Sequence, residues 1–159
     1  MDRIPDFAEW QELVAAFTAW WLGGGDKSRS AAFNLAATIA TETMQTASGS
    51  YDLDDLVEKL DLYLQQKGHL TDWMPAANDF LHQAQALTID ACAVGLDGKK
   101  RNWSEQKMLV EGKCHGFIRV AEALKRLSDT LELRVDALRT VIATERERMR
   151  GEMNQPKRT

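Results

Sequence analysis

The sequence predicts an all-α fold in which four shorter helices pack on the first half of a long C-terminal helix that carries a heptad seam. Three observations predict it. Apolar residues recur at helical spacing in five stretches. No stretch reads as a convincing strand, and from Ser104 to Arg150 the chain has no proline and keeps one seven-residue apolar repeat.

The first helix follows the capping-box pair Asp6 and Glu9 and carries Phe7, Trp10, Val14, Phe17 and Trp21 on one face, widened by Leu13 and Trp20. Gly23, Gly24 and Gly25 end it, because three glycines do not sustain a helix. The second covers Lys27 to Ala47, with Phe33, Leu35, Ala36, Ile39, Ala40 and Met44 as its buried side. A loop through "SGSYD" leads to the third, whose stripe is Leu53, Leu56, Val57, Leu60, Tyr63 and Leu64 and whose stop is Gly68. Thr71 caps the fourth, with Pro75 in its first turn and Trp73, Ala77, Phe80, Ala84, Leu87, Ala91 and Val94 facing inward. The expected core comprises Trp10, Phe17, Trp21, Phe33, Leu60, Phe80, Leu87, Phe117 and Leu124.

The fifth helix sets the expected assembly. Val110, Phe117, Leu124, Leu131 and Leu138 fall at d positions, with Cys114, Ala121, Ser128, Val135, Ile142 and Met149 at a. A helix from Ser104 to Arg150 would be about 70 Å long at about 1.5 Å per residue, too long for four short helices to cover. The sequence therefore divides into a helical bundle over 1–127, a projecting helix over 128–150 and a polar basic tail over 151–159. Leu124, Leu131, Val135, Leu138 and Ile142 form the expected interaction seam, open to a second copy or to a helical protein partner. A break near Ser128 to Thr130, where Asp129 and Glu132 offer a new cap, is the competing reading. Apolar g positions at Val120, Leu127 and Val141 favour a bundle of three or more helices over a parallel pair.

Composition narrows function further. At 159 residues and 44% hydrophobic the chain is one domain in size, with enough apolar residues for a core. Its longest apolar run, "LVAAFTAWWLGGG", is shorter than the roughly 20 residues that span a bilayer, so no membrane span is expected. Asp2, Asp6 and Glu9 near the start do not match a secretory or transit segment, which places the chain in the cytoplasm. Two cysteines 22 residues apart give neither a disulfide framework nor a structural zinc motif. Charge is uneven: residues 1–98 hold 15 acidic and 5 basic side chains, residues 99–159 hold 9 and 15. Such halves can neutralise each other, drive association, or present a basic face to phosphates.

Chemistry-bearing motifs are weak. "GGGDKS" lacks the spacing of a phosphate-binding loop and reads as a turn. Asp54, Glu58 and Asp61 share a helix as all-α magnesium-dependent hydrolases require, but no second acidic helix is evident, so they are weak metal ligands. Asp79 with His82, and Glu111 with His115, miss the di-iron bundle pattern. Lys99, Lys100, Arg101 and Trp103 combine charge and stacking surface as single-strand nucleic-acid binders do. In "VEGKCHGF" adjacent Cys114 and His115 point about 100° apart on a helix, so they form no thiolate–imidazole pair without a break in it. Gly112 and Gly116 there mark a helix-crossing strip. The sequence thus predicts a non-enzymatic helical adaptor or assembly protein without a cofactor, of the small accessory type that bacteria and phages encode. A nucleic-acid accessory is the second expectation and a magnesium-dependent hydrolase the third.

Overall fold

The computed structural model describes residues 3–21, 30–42 and 52–153. Five α-helices are described: α1 Phe7–Trp21, α2 Ala31–Thr41, α3 Leu53–Cys92, α4 Trp103–Lys113 and α5 His115–Met153. The fold is all-α; among the described residues the only β feature is a bridge between Val94 and Lys100.

Local signals set most helix starts. Asp6 Oδ1 accepts from Glu9 N at 2.9 Å and Glu9 Oε2 accepts from Asp6 N at 2.9 Å, the reciprocal box expected at the head of α1. Ser30 caps α2 by accepting from Phe33 N at 3.1 Å, and Asp52 caps α3 by accepting from Asp54 N at 3.0 Å. A second capping box, Asn102 with Glu105, opens α4. The "GGGDKS" turn, Met44, the side chains of Trp20 and Trp21, and most of the basic tail lie outside the described residues.

Two expectations about helix breaks are corrected. The third and fourth predicted helices are one, because α3 runs unbroken through Gly68, His69, Thr71 and Pro75. A glycine and a proline cost about 1 and 3 kcal/mol in a helix interior, while each large apolar side chain buried returns about 1.5–3 kcal/mol. Leu70, Trp73 and Ala77, all at most 3% exposed, lie in the segment those residues interrupt, so burial outweighs propensity. The predicted fifth helix, conversely, is divided at Cys114 (φ −92°, ψ 6°) into α4 and α5. Cys114 N still donates to Val110 O at 2.9 Å and Ile118 N to Cys114 O at 3.1 Å, so the joint bends the chain without freeing it. Beyond it α5 is continuous through Ser128 to Thr130.

The length of α3 also removes the projecting helix. At about 1.5 Å per residue its 40 residues span about 60 Å, matching the 39 of α5. The two run antiparallel: Thr88 lies beside Cys114 at one end, and Lys67 pairs with Glu132 at 3.0 Å farther along. Leu131, Val135, Leu138 and Ile142 are therefore 0 to 5% exposed, in the same core as Leu56, Tyr63 and Leu70. The stripe reserved for a partner is covered by the chain's own α3, which itself has a seven-residue repeat, Leu56, Tyr63, Leu70, Ala77 and Ala84.

Helices α1 and α2 pack against the α3–α5 pair. Phe7 stacks on Phe117 and tilts against Phe80, Trp10 packs edge-on against Trp73, and Phe17 meets Phe33 edge-to-face at 5.3 Å. Trp10, Phe17, Phe33 and Leu124 are buried as expected, and Leu60, Phe80 and Phe117 are half-buried against them. Leu87 is a correction at 57% exposed, with Val94 and Ala91 also outside. Past Ala84 the buried face of α3 advances in steps of four through Thr88 to Cys92, where Val110 and Cys114 join Ala84 in a second small core.

Candidate functional site

Three features remain once the core is assigned: a polar latch at the end of α2, an apolar and cationic tip between α3 and α4, and a cleft between α1, α2 and α5. Each draws on residues that sequence periodicity leaves on the polar side.

The latch is built on Glu42, which follows the last turn of α2. Arg134 of α5 donates to the Glu42 carbonyl oxygen, a cation placed where a helix C-terminus favours one. The Tyr63 hydroxyl donates to Glu42 Oε2 at 2.8 Å, and Lys59 Nζ lies 3.2 Å from the same oxygen. The hydrogen bond from Tyr63, helped by Lys59 and Arg134, holds the Glu42 carboxyl below its ordinary range against a small desolvation. Burial, and then the adjacent carboxylate, push the Tyr63 phenol upward. The charges tie three helices together.

The tip is a tight reversal over Ala93 to Asn102. Gly98 N donates to Gly95 O at 3.0 Å and Gly95 N to Lys99 O at 2.8 Å, while Asp97 Oδ1 accepts from Lys99 N at 3.1 Å. Gly98 takes φ 74°, a conformation L side chains rarely adopt. Arg101 locks the base: its Nη1 donates to Cys92 O at 3.0 Å and its backbone N to Ala93 O. Held on this frame, Leu96 is fully exposed, and Trp103 and Met108 are 67% and 74% exposed. Lys99 and Lys100 are exposed and enter no ion pair among the described residues. Of the four residues expected to contact nucleic acid, Lys99, Lys100 and Trp103 thus face outward and Arg101 serves the fold. Trp103 also walls a groove of about 160 Å³ with Gln85, Ile89 and Val110.

The cleft lies farther along α5, where Phe17, Phe33, Ile118 and Leu127 form its apolar wall and His115, Arg119, Glu122 and Arg126 its rim, around about 490 Å³. Arg119 Nε donates to His115 Nε2 at 2.7 Å, one turn back along α5.

The other residues singled out by sequence fall into structural settings. The position a Gly116 Cβ would take is 2.8 Å from Val14 Cγ1 and 3.0 Å from Thr18 Oγ1, so α1 crosses α5 there; around Gly112 nothing lies within 4 Å. Cys114 is buried on Ala84 and Val110, with its Sγ 3.6 Å from Thr88 Oγ1, and both cysteines are free thiols. Asp54, Glu58 and Asp61 are exposed, and among the described residues no three His, Cys, Asp or Glu side chains converge to hold a metal. No described helix is long and apolar enough to cross a membrane.

No protein-family model, curated protein or solved structure matches the chain.

Proposed function

We propose that the chain is a non-enzymatic helical adaptor that binds another protein through the tip between α3 and α4. The observation that carries the reading is Leu96, a large apolar side chain fully exposed on a turn pinned by backbone hydrogen bonds and a positive-φ glycine. An exposed leucine on a preordered turn loses little conformational entropy on docking, and the exposed Trp103 at the same end of the hairpin is the aromatic type of anchor enriched at interface hot spots. Leu87, Val94, Trp103 and Met108, each more than half exposed, belong to the same end of the hairpin and enlarge the apolar area. Lys99 and Lys100 beside the anchor favour a partner with an apolar socket rimmed by carboxylates. The long α3–α5 pair then acts as the rigid arm that presents the tip, and its buried seam serves folding.

A photocrosslinking side chain at position 96, introduced in the cells that make the protein, tests this reading. A protein adduct of one discrete mass, which could be a second copy of this chain, is expected, and Trp103→Asp should remove it. The exposed lysines beside Trp103 favour the second reading, a nucleic-acid accessory. If position 96 yields no protein adduct, and an oligonucleotide binds with a steep salt slope that Lys99→Glu/Lys100→Glu abolishes, that reading replaces the adaptor.

A further inference from the structure

We infer that the cleft between α1, α2 and α5 binds a single-chain amphipathic monocarboxylate, its hydrocarbon chain along Phe17, Phe33, Ile118 and Leu127 and its carboxylate on Arg119. The cleft's volume, about 490 Å³, lies inside the range of about 300–1,000 Å³ typical of small-molecule sites, with the usual apolar wall and few polar groups. Its rim runs from His115 to Leu127 along α5, about 18 Å at about 1.5 Å per residue, so the space is long and suits an extended chain.

The headgroup follows from how Arg119 is held. Its Nε is engaged by His115 Nε2 at 2.7 Å, while neither terminal nitrogen has a partner among the described residues. The unengaged edge of the guanidinium is the fork that meets a carboxylate. Arg126, two turns on, enters no ion pair among the described residues, and Glu122 between them contacts neither arginine. Two guanidiniums against one carboxylate leave a single net positive charge at the rim. A monocarboxylate neutralises it, whereas a phosphate dianion would meet the Glu122 charge uncompensated. Thr41 at the far rim adds a hydroxyl without charge.

The site is independent of the adaptor reading, since it shares no residue with the tip. Fluorescence titration of the full-length protein with cis-parinaric acid, followed by displacement with palmitate, tests the inference. One saturable site is expected, with affinity falling about tenfold in Arg119→Gln, the loss of one charge-assisted hydrogen-bonded pair. Ala123→Phe, which fills the cleft, should abolish binding, and Arg146→Gln, at an exposed cation far along α5, should leave it unchanged. Circular dichroism confirms that each variant is folded; should Ala123→Phe unfold, Ala37→Leu replaces it from the facing helix. The inference is overturned by no saturable binding of monomeric carboxylate, by equal binding of hexadecanol and palmitate, or by binding that survives both Arg119→Gln and the filling variant. Binding to anionic phosphatidylglycerol vesicles in the absence of monomeric carboxylate binding also overturns it, since that places the affinity in a membrane surface.

Discussion

Gly112 and Gly116 stand one helical turn apart in the sequence, yet the fold assigns them opposite responses to the same methyl group. At Gly116 an added Cβ would come within 2.8 Å of Val14 Cγ1 and 3.0 Å of Thr18 Oγ1. Neither neighbour can swing aside: valine has essentially one χ1 rotamer in a helix, and the Thr18 hydroxyl is tied to Val14 O at 2.8 Å. Helix α1 must then move off α5, an overpacking cost of about 1–3 kcal/mol, offset by about 1 kcal/mol of helix propensity. Gly116→Ala should lose up to about 2 kcal/mol and Gly116→Leu more. At Gly112 nothing lies within 4 Å and the backbone is helical, so Gly112→Ala should gain about 0.5–1 kcal/mol. Urea unfolding followed by circular dichroism at 222 nm reads both, and the gap of about 2 kcal/mol corresponds to about 4–8 °C in Tm. Equal shifts of the same sign in the two alanine variants would refute the crossing of α1 over Gly116. A restoring effect of Val14→Ala on Gly116→Ala would locate the strain at that contact.

Tyr63→Phe should cost about 1 kcal/mol at neutral pH, the net worth of one hydrogen bond, measured by the same unfolding assay. Because the folded Glu42 carboxyl titrates below its ordinary value of 4.5, its contribution is present above that pH and lost on acidification through the lower folded value. The gap between wild type and Tyr63→Phe should therefore close in acid, and a gap constant with pH would remove Glu42 from the account. Leu131→Ala, which empties a fully buried position facing α3, should cost about 2–5 kcal/mol. Truncation after Leu127 should abolish cooperative unfolding, because it strips Leu131, Val135, Leu138 and Ile142 from Leu56 and Tyr63. A truncated chain with an intact transition would restore the boundary the sequence predicts.

The sequence made the helical class legible because the spacing of apolar residues is local information. It showed the capping box of α1, the inward face of α1, and the continuity of α5 past Ser128 for the same reason. Helix breaks were misread wherever tertiary burial overrode a local signal. Gly68 and Pro75 read as punctuation, but Leu70, Trp73 and Ala77 are buried around them and hold α3 straight through. Cys114 shows the converse, since its place in the heptad gave no sign of the break there, where α1 packs against Gly116 and α3 receives Val110 and Cys114. Of the surfaces, the cationic turn was visible as "GKKRNW", whereas Leu96 looked like one more apolar residue until its turn was seen to face away from every helix. The cleft rim was hidden because Arg119, Glu122 and Arg126 read as an ordinary solvated helix face.

Those misreadings share one cause, and it relocates function on the molecule. A heptad seam specifies that a partner helix exists and says nothing about which chain supplies it. Treating Gly68 as a stop removed the one segment long enough to be that partner, so the apolar stripe of α5 had to be assigned outside the chain. With α3 continuous, the demand is met internally: Arg134 closes α2 through the Glu42 carbonyl, and Lys67 meets Glu132 across the hairpin. The acidic and basic halves are thereby brought side by side in one molecule, which weakens the case for head-to-tail association driven by charge. Two of the surfaces the described residues leave open are the turn at one end of the hairpin, with Leu96 and Trp103 exposed, and the cleft along its side. The apolar length of the C-terminal half is a measure of how rigidly those two surfaces are held.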